Sequence, residues 1–407
     1  MFKSNIELLD KPTFIGSLLL LFIVVIPLVF FPKEGAEWIA SAKILMTDKL
    51  GFMYLGLGLA SFFFMIYIIF SDIGQIKLGE PDEKPEFSTA SWAAMLFCGG
   101  IGASIMYWGC IEWAYYYLDP PFQLAPGSEE AIRWAATYGI FHWGPIAWSI
   151  YLVPALPIAY FFYVRKQPAL KVSSALMPVI GEARSNGWTG KLVDILFIFG
   201  LLGGGATTLG LAAPLITEGI HHLFGIPRDT LVQVLVLLAC TVLFGYSAYM
   251  GMEKGIKVLS NINFWGAMGL LAFILLAGPT IFMLETGLDS LGRMLSNFFV
   301  MATWAEPFGG YGSFKNTHFP QDWTIFYWAW WLVFAPSMGL FVARISRGRT
   351  IKQMVVGSIF FGSMGCFLFF MILGNYGLSL QLSGKLDIVG MLQTDGAYQA
   401  IFAILDQ

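Results

Sequence analysis

Four tryptophans fall within nine residues of the run Trp323-Thr324-Ile325-Phe326-Tyr327-Trp328-Ala329-Trp330-Trp331-Leu332-Val333-Phe334-Ala335-Pro336-Ser337-Met338. At helical spacing Trp331, Phe334 and Met338 share one stripe, and Trp330 lies one turn before Phe334. A second run, Phe141-His142-Trp143-Gly144-Pro145-Ile146-Ala147-Trp148-Ser149-Ile150-Tyr151, puts Trp148 and Tyr151 on one face with Trp143 more than a turn earlier. Aromatic faces are the natural partners of a quaternary ammonium group, which carries charge but donates no hydrogen bond. Each desolvated contact is worth on the order of 1–2 kcal/mol, so three rings supply a few kcal/mol without any carboxylate. The run from Trp323 to Met338 holds no acidic residue, which fits a zwitterionic ligand, since a buried unpaired acid is expensive in a membrane.

The ligand's own carboxylate then needs N–H or hydroxyl donors. The candidates are the Gly100–Ser104 backbone, with Gly102 inside it, and the hydroxyl of Tyr115. In Gly99-Gly100-Ile101-Gly102-Ala103-Ser104 three of the first four residues are glycine, each costing a helix roughly 1 kcal/mol relative to Ala. The backbone that opens there frees polar groups that lipid cannot satisfy. Either a polar ligand or ion is the partner, or the small residues mark a close helix–helix contact.

Membrane-crossing helices must carry these groups. The 407 residues are 57% hydrophobic and only 12% charged, against about 25% charged in soluble domains. A net charge of -3 without a basic block excludes a nucleic-acid binder, and 37 Phe, 14 Trp and 16 Tyr exclude disorder. The cysteines Cys98, Cys110, Cys240 and Cys366 all sit in apolar runs without a C-x-x-C pair, so neither a disulfide scaffold nor a metal site is expected. No H-E-x-x-H, G-x-S-x-G or P-loop pattern occurs, so an enzyme with a cofactor is not expected.

Apolar stretches of about 18 or more residues give nine spans: 13–32, 51–71, 91–117, 131–163, 190–220, 230–250, 257–283, 322–344 and 353–376. The first follows Lys3 and Lys11 and lacks a small-residue cleavage site, so it reads as an anchor. A cytoplasmic N-terminus places fifteen of the 23 basic residues inside, among them Lys77, Lys84, Arg165, Lys254, Arg344, Arg347 and Arg349. Trp38, Trp188 and Trp323 fit interfacial anchors. Leu284–Ala305 carries Leu288, Leu291, Leu295, Phe298 and Phe299 at helical spacing and reads as an amphipathic helix on the outer face.

The third and eighth spans share a pattern. Pro85-Glu86-Phe87, Trp92 and the Gly100 break correspond to Pro320-Gln321-Asp322, Trp328 and a break at Pro336. The two enter from opposite sides, as the paired interrupted helices of a secondary transporter do. The predicted organisation is two peripheral helices with their loop in 1–84, a five-helix repeat in 85–283, an amphipathic helix and loop in 284–319, and the start of an inverted repeat in 320–407.

The sequence resembles the betaine/choline/carnitine transporter family. The match is carried by Pro85-Glu-Phe-Ser-Thr-Ala-Ser-Trp92, Phe141-His-Trp-Gly-Pro145, Asp322-Trp-Thr-Ile-Phe-Tyr-Trp-Ala-Trp-Trp331 and Ala343-Arg-Ile-Ser-Arg-Gly-Arg349. Within the family it is similar to the carnitine/γ-butyrobetaine antiporters, through Ile111-Glu112 with Tyr115-Tyr116-Tyr117, Pro120-Pro121-Phe122 and Ala213-Pro214-Leu215-Ile216-Thr217-Glu218.

The resemblance implies an all-α polytopic membrane protein with an inverted-repeat (LeuT-like) core and alternating access in the bacterial inner membrane. It implies a small quaternary ammonium substrate in a box of Trp143, Trp330, Trp331 and Phe334, where family members carry Tyr or Trp at the last position. Tyr115 falls at a substrate-contacting tyrosine, and Trp148 and Tyr151, with Trp328, match aromatics along the route. Met338 falls where antiporters place a methionine sulfur in lieu of sodium, while Asn263 replaces an arginine used there for the other sodium position. The Gly100-x-Gly102-x-Ser104 pattern leans towards sodium-coupled betaine carriers, so exchange and sodium-coupled betaine or choline symport both stand. The resemblance also implies a homotrimer of twelve-span protomers. The second repeat ends after two spans at Asp406-Gln407, so a chain truncated after about nine transmembrane helices is expected, with a non-transporting paralogue or sensor as a further alternative.

The remaining polar residues have plainer readings. His142 either relays protons or packs with its ring hydrogen-bonded. Glu112 and Glu218 are expected near span ends, paired or facing headgroups. Thr207 and Thr208, after Gly203-Gly204-Gly205, offer hydroxyls to an ion or bond back to their own helix.

Overall fold

The computed structural model describes residues 10–100, 102–167 and 170–407. Among them the chain is helical, and its one β contact is an isolated antiparallel bridge between Lys77 and Thr350. Eight helices are long and apolar enough to cross a membrane, or nine when one bent pair counts as a single span. The chain is thus an all-α polytopic membrane protein, and each predicted span falls on one of these helices.

The first three helices are α1 (Lys11–Phe30), α2 (Pro32–Ile44) and α3 (Gly51–Phe70). Pro32 opens α2, where its missing N–H costs no intrahelical bond. The glycine-rich segment breaks as predicted: α4 (Thr89–Gly100) and α5 (Ala103–Leu118) meet at 58°, with Gly102 extended at φ −109° and ψ −167°. α6 (Glu129–His142) starts at Ser128, whose hydroxyl accepts the Ala131 N–H, with Glu129 and Glu130 at the positive end of the helix dipole.

The predicted span 131–163 is one membrane-length stretch, Glu129–Val164, interrupted at Trp143-Gly144, after which α7 (Pro145–Ala159) begins. A methyl at Gly144 would lie 2.5 Å from the Ile140 carbonyl, so the turn needs glycine.

α8 (Trp188–Phe224) is followed by α9 (Thr230–Gly251), α10 (Lys257–Ala277) and α11 (Thr280–Thr303). The 37 residues of α8 extend about 55 Å, beyond the ~30 Å hydrocarbon core of a bilayer. α11 forms where the amphipathic helix was predicted. Met283, Gly287, Ser290, Met294 and Met301 are buried, whereas Leu288, Leu295 and Phe299 are exposed. The small side of the helix allows close packing: a methyl at Gly287 would lie 2.6 Å from Met371. Arg293 ties the same side to α6 by pairing with Glu130 and lying 5.1 Å from the Trp134 ring.

α12 (Phe326–Ile345) follows a π turn at Pro320–Ile325, and then come α13 (Ile351–Phe369), α14 (Asn375–Leu382), α15 (Ile388–Thr394) and α16 (Ala397–Leu405). The break predicted at Pro336 is absent, and α12 runs through it. Proline removes one intrahelical bond, but close packing holds the helix. A methyl at Gly339 would sit 2.9 Å from the Ala155 nitrogen of α7.

The helices divide into two compact units. The first comprises Met1–Glu86, Ser149–Ala206 and Ile325–Val355, and the second Phe87–Trp148, Thr207–Thr324 and Val356–Gln407. In the first unit the loop before α4 is laced to the end of α12. The Leu78 N–H donates to the Arg349 carbonyl at 2.8 Å, and the Gly348 N–H donates to the Leu78 carbonyl at 2.7 Å. Arg344 grips Glu86 with two bonds of 2.7 and 2.9 Å, and Arg347 pairs with Glu83. Both arginines are engaged by carboxylates of this loop. Gly348 has φ +78° and would bring a Cβ to 2.4 Å from the Lys84 carbonyl, so only glycine fits there.

Candidate functional site

In the first unit the aromatic run of α12 makes an ordered stack. Tyr327, Trp330 and Trp331 have ring centroids 5.7 to 5.9 Å apart and planes within 17° of parallel. The i, i+3, i+4 spacing brings the three together on one side of the helix, and their faces point the same way. Tyr151 of α7 meets Trp331 edge-on at 5.7 Å and 84°, the favourable alignment of a positive ring edge with a negative face. Tyr327 and Trp331 are buried and Trp330 is half-buried. Aligned faces with little water between them attract a cation through their summed quadrupoles.

Phe334, half-buried one turn later, rests on α8: a methyl at Gly204 would lie 2.7 Å from its Cζ. Gly204, in the middle of the Gly203-Gly204-Gly205 run, therefore makes room for the aromatic ring. Trp328 is fully buried, and Met338 is half-buried on the stripe of Trp331 and Phe334.

In the second unit Trp143 caps α6 and is 3% exposed. Its indole N–H donates to Glu112 Oε2 at 3.2 Å, and Glu112 Oε1 accepts from the Tyr116 hydroxyl at 2.5 Å. The Tyr116 oxygen lies 2.8 Å from His142 Nδ1, and His142 Nε2 lies 3.0 Å from Thr324 Oγ1. Glu112 and His142 are completely buried, so of the two expected settings for Glu112 the structure shows the paired one. The carboxylate is deep because Tyr116, one turn on, and Trp143 supply its donors. Both His142 nitrogens are engaged, which matches the packing role. Glu218 pairs with Arg228 at 3.1 Å, as a paired carboxylate should.

Tyr115 belongs to an aromatic cluster of the second unit that adjoins the Glu112 network through Tyr116. It stands 5.6 Å from Trp323 and 6.0 Å from Trp108, and its hydroxyl is 3.4 Å from that of Tyr107. Trp323 is half-buried and lies 4.7 Å from Tyr116 in this cluster. Trp38 and Trp188 are exposed, as anchors should be.

The other expected site residues are spread along the chain. Gly100 ends α4, Gly102 is exposed with open space around it, and Ser104 is buried at the start of α5. Trp148 is packed flat on α13, where a methyl at Gly362 would collide with its indole at 2.0 Å. Asn263 of α10 and Thr207 of α8 are exposed, and Thr208 is half-buried. Among the described residues no group of three or more His, Cys, Asp or Glu is placed to hold a metal ion.

The sequence alone did not single out Tyr327, Tyr116 or Thr324. Tyr327 had a readable signal, at three and four residues before the paired tryptophans. Thr324 had none, because its partner His142 comes from another helix.

Residues 12–407 match the family model described as "BCCT, betaine/carnitine/choline family transporter". A carnitine transporter of Acinetobacter baumannii is 36% identical over 401 residues, covering 97% of this chain and 70% of the relative. A glycine betaine transporter, OpuD, of Bacillus subtilis is 40% identical over 348 residues, 86% of this chain and 67% of the relative. The uncharacterized transporter YeaV of Escherichia coli is 37% identical over 341 residues, 84% of this chain and 69% of the relative. With its apolar helices and its match along nearly the whole length, the chain belongs to the betaine/carnitine/choline family, a family of membrane transporters and not of enzymes.

Proposed function

We propose that the protein is a secondary carrier that moves a trimethylammonium zwitterion, L-carnitine, γ-butyrobetaine or a related betaine, across the bacterial inner membrane by exchange. The observation that carries this reading is the parallel stack of Tyr327, Trp330 and Trp331 on a helix segment free of acids. It suits a fixed cation whose charge is balanced by its own carboxylate. Trp143, Trp330, Trp331 and Phe334 contact the ammonium head, and Tyr115 with the Gly100, Gly102 and Ser104 backbone serves the carboxylate. Trp148, Tyr151 and Trp328 line the route. Met338, Asn263, Thr207 and Thr208 occupy the ion or ion-substitute positions. Alternating access runs through the repeats 85–283 and 320–407, the N-terminus is cytoplasmic, and the protomers form a homotrimer.

The test is uptake of radiolabelled carnitine into sodium-free proteoliposomes with and without internal γ-butyrobetaine. Uptake only with internal substrate supports exchange, and no uptake in either case refutes it. A second reading, sodium-coupled glycine betaine symport, is favoured by the 40% identity to a glycine betaine transporter and by the Gly100-x-Gly102-x-Ser104 pattern. It requires uptake that depends on an inward sodium gradient and not on internal substrate.

A further inference from the structure

The Glu112 network admits one continuous assignment of protons. The Thr324 hydroxyl donates to His142 Nε2, His142 Nδ1–H donates to the Tyr116 oxygen, and the Tyr116 hydroxyl donates to Glu112 Oε1. The indole N–H of Trp143 donates to Glu112 Oε2. Every donor then has an acceptor, His142 is neutral, and Glu112 accepts on both oxygens as an anion does. An anion 3.2 Å from the indole nitrogen pulls on its N–H and raises the electron density of the ring faces. Those faces are the surface that attracts an ammonium head.

The geometry points to Glu112 as a positioning residue for Trp143, one that fixes the orientation of the indole and polarises it towards cationic substrates. Tyr116, His142 and Thr324 hold the carboxylate in its role. This rests on the reading that Trp143 contacts substrate. Glu112 itself touches no substrate: its charge reaches the ligand through the indole. The carrier thereby attracts a cation without placing a carboxylate against it, where an ion pair would slow release.

The test is a double-mutant cycle on the full chain in proteoliposomes, read by equilibrium binding of radiolabelled γ-butyrobetaine and by maximal exchange rate. In Glu112→Gln the amide can turn so that its oxygen still accepts the Trp143 N–H, and the charge alone is lost. We expect the Kd to rise about tenfold, the worth of a charged over a neutral bond, with the maximal rate within about twofold of the parent. Trp143→Phe should also weaken binding, and adding Glu112→Gln to it should change Kd by less than about twofold, since the coupling runs through the indole. Tyr116→Phe, which removes one donor to the carboxylate, should weaken binding in the same manner and carries the test if Glu112→Gln does not fold.

An undiminished Glu112→Gln effect in the Trp143→Phe background overturns the positioning role and leaves the substrate contact of Trp143 standing. Unchanged affinity in Glu112→Gln also overturns it. Unchanged affinity in Trp143→Phe removes the substrate contact itself, and the inference with it.

Discussion

Substitution of Gly204 by alanine probes the aromatic site without touching an aromatic residue. The added methyl would lie 2.7 Å from Phe334 Cζ and 3.0 Å from its Cε1 and Cε2, whereas carbon atoms rest at roughly 3.5–4.0 Å. The ring must therefore withdraw by about 1 Å. Alanine favours the α8 helix by about 1 kcal/mol over glycine, and overpacking costs about 1–3 kcal/mol, so fold stability should fall by no more than about 2 kcal/mol. The effect on binding should be clearer. Displacing one ring of the proposed cation box forfeits most of a contact worth on the order of 1–2 kcal/mol, a rise in Kd of about 5- to 30-fold. The assay is equilibrium binding of radiolabelled carnitine to the purified protein, with Phe334→Ala and the double variant alongside. The double variant should bind within about twofold of Phe334→Ala alone, because the methyl then fills vacated space. Wild-type affinity in Gly204→Ala, or additive losses in the double variant, would refute the packing of Phe334 on α8 as the basis of its role.

Further outcomes follow from other contacts. Gly362→Ala forces a methyl to 2.0 Å from the Trp148 indole, and should lower thermal stability by at least about 1–3 kcal/mol, partly restored by Trp148→Phe; a melting temperature equal to the parent's contradicts the packing. Arg344→Gln removes a bidentate grip on Glu86 between partly exposed groups, so its stability cost should stay within about 1 kcal/mol, and the charge swap Arg344→Glu with Glu86→Arg should lose less stability than Arg344→Glu alone. The Glu80 N–H, with Arg347, holds the Glu83 carboxyl below the usual glutamate range. A lowered pKa stabilises the folded loop fully above the ordinary value and loses that stabilisation as pH falls through the lowered one. Spin labels at Asp82 and Gln353 should therefore keep their separation down through the usual glutamate range and spread only below it; spreading at about pH 6 would be incompatible.

The spans and the aromatic run were legible because they are local. Apolar content alone marks a membrane helix, and the spacing of Tyr327, Trp330 and Trp331 decides which rings meet on α12. The break at Gly102 likewise follows from the nearby glycines, whereas the kink at Trp143-Gly144 lies inside the span predicted as 131–163 and was not among the expected breaks. What stayed hidden depends on partners from elsewhere in the chain. Pro336 reads as a break, yet the approach of Gly339 to Ala155 keeps α12 continuous. The apolar stripe of α11 is visible, but the side that packs is chosen by Gly287 against Met371 and by Arg293 on Glu130 and Trp134. The contacts of Trp323 with Trp108, Tyr115 and Tyr116 also join residues far apart in sequence. Glu112 looks costly in isolation, whereas the Tyr116 and Trp143 donors offset its burial.

Aromatic recognition of a charged methylated head is tested most directly by comparing γ-butyrobetaine with its carbon isostere 5,5-dimethylhexanoate, which keeps the shape and the carboxylate but loses the positive charge. Binding of both to the purified protein should differ by at least about a hundredfold in Kd, the worth of two or three ring contacts, and Trp331→Ala should shrink the ratio. Equal affinity for the two ligands would contradict a cation held by tryptophan faces.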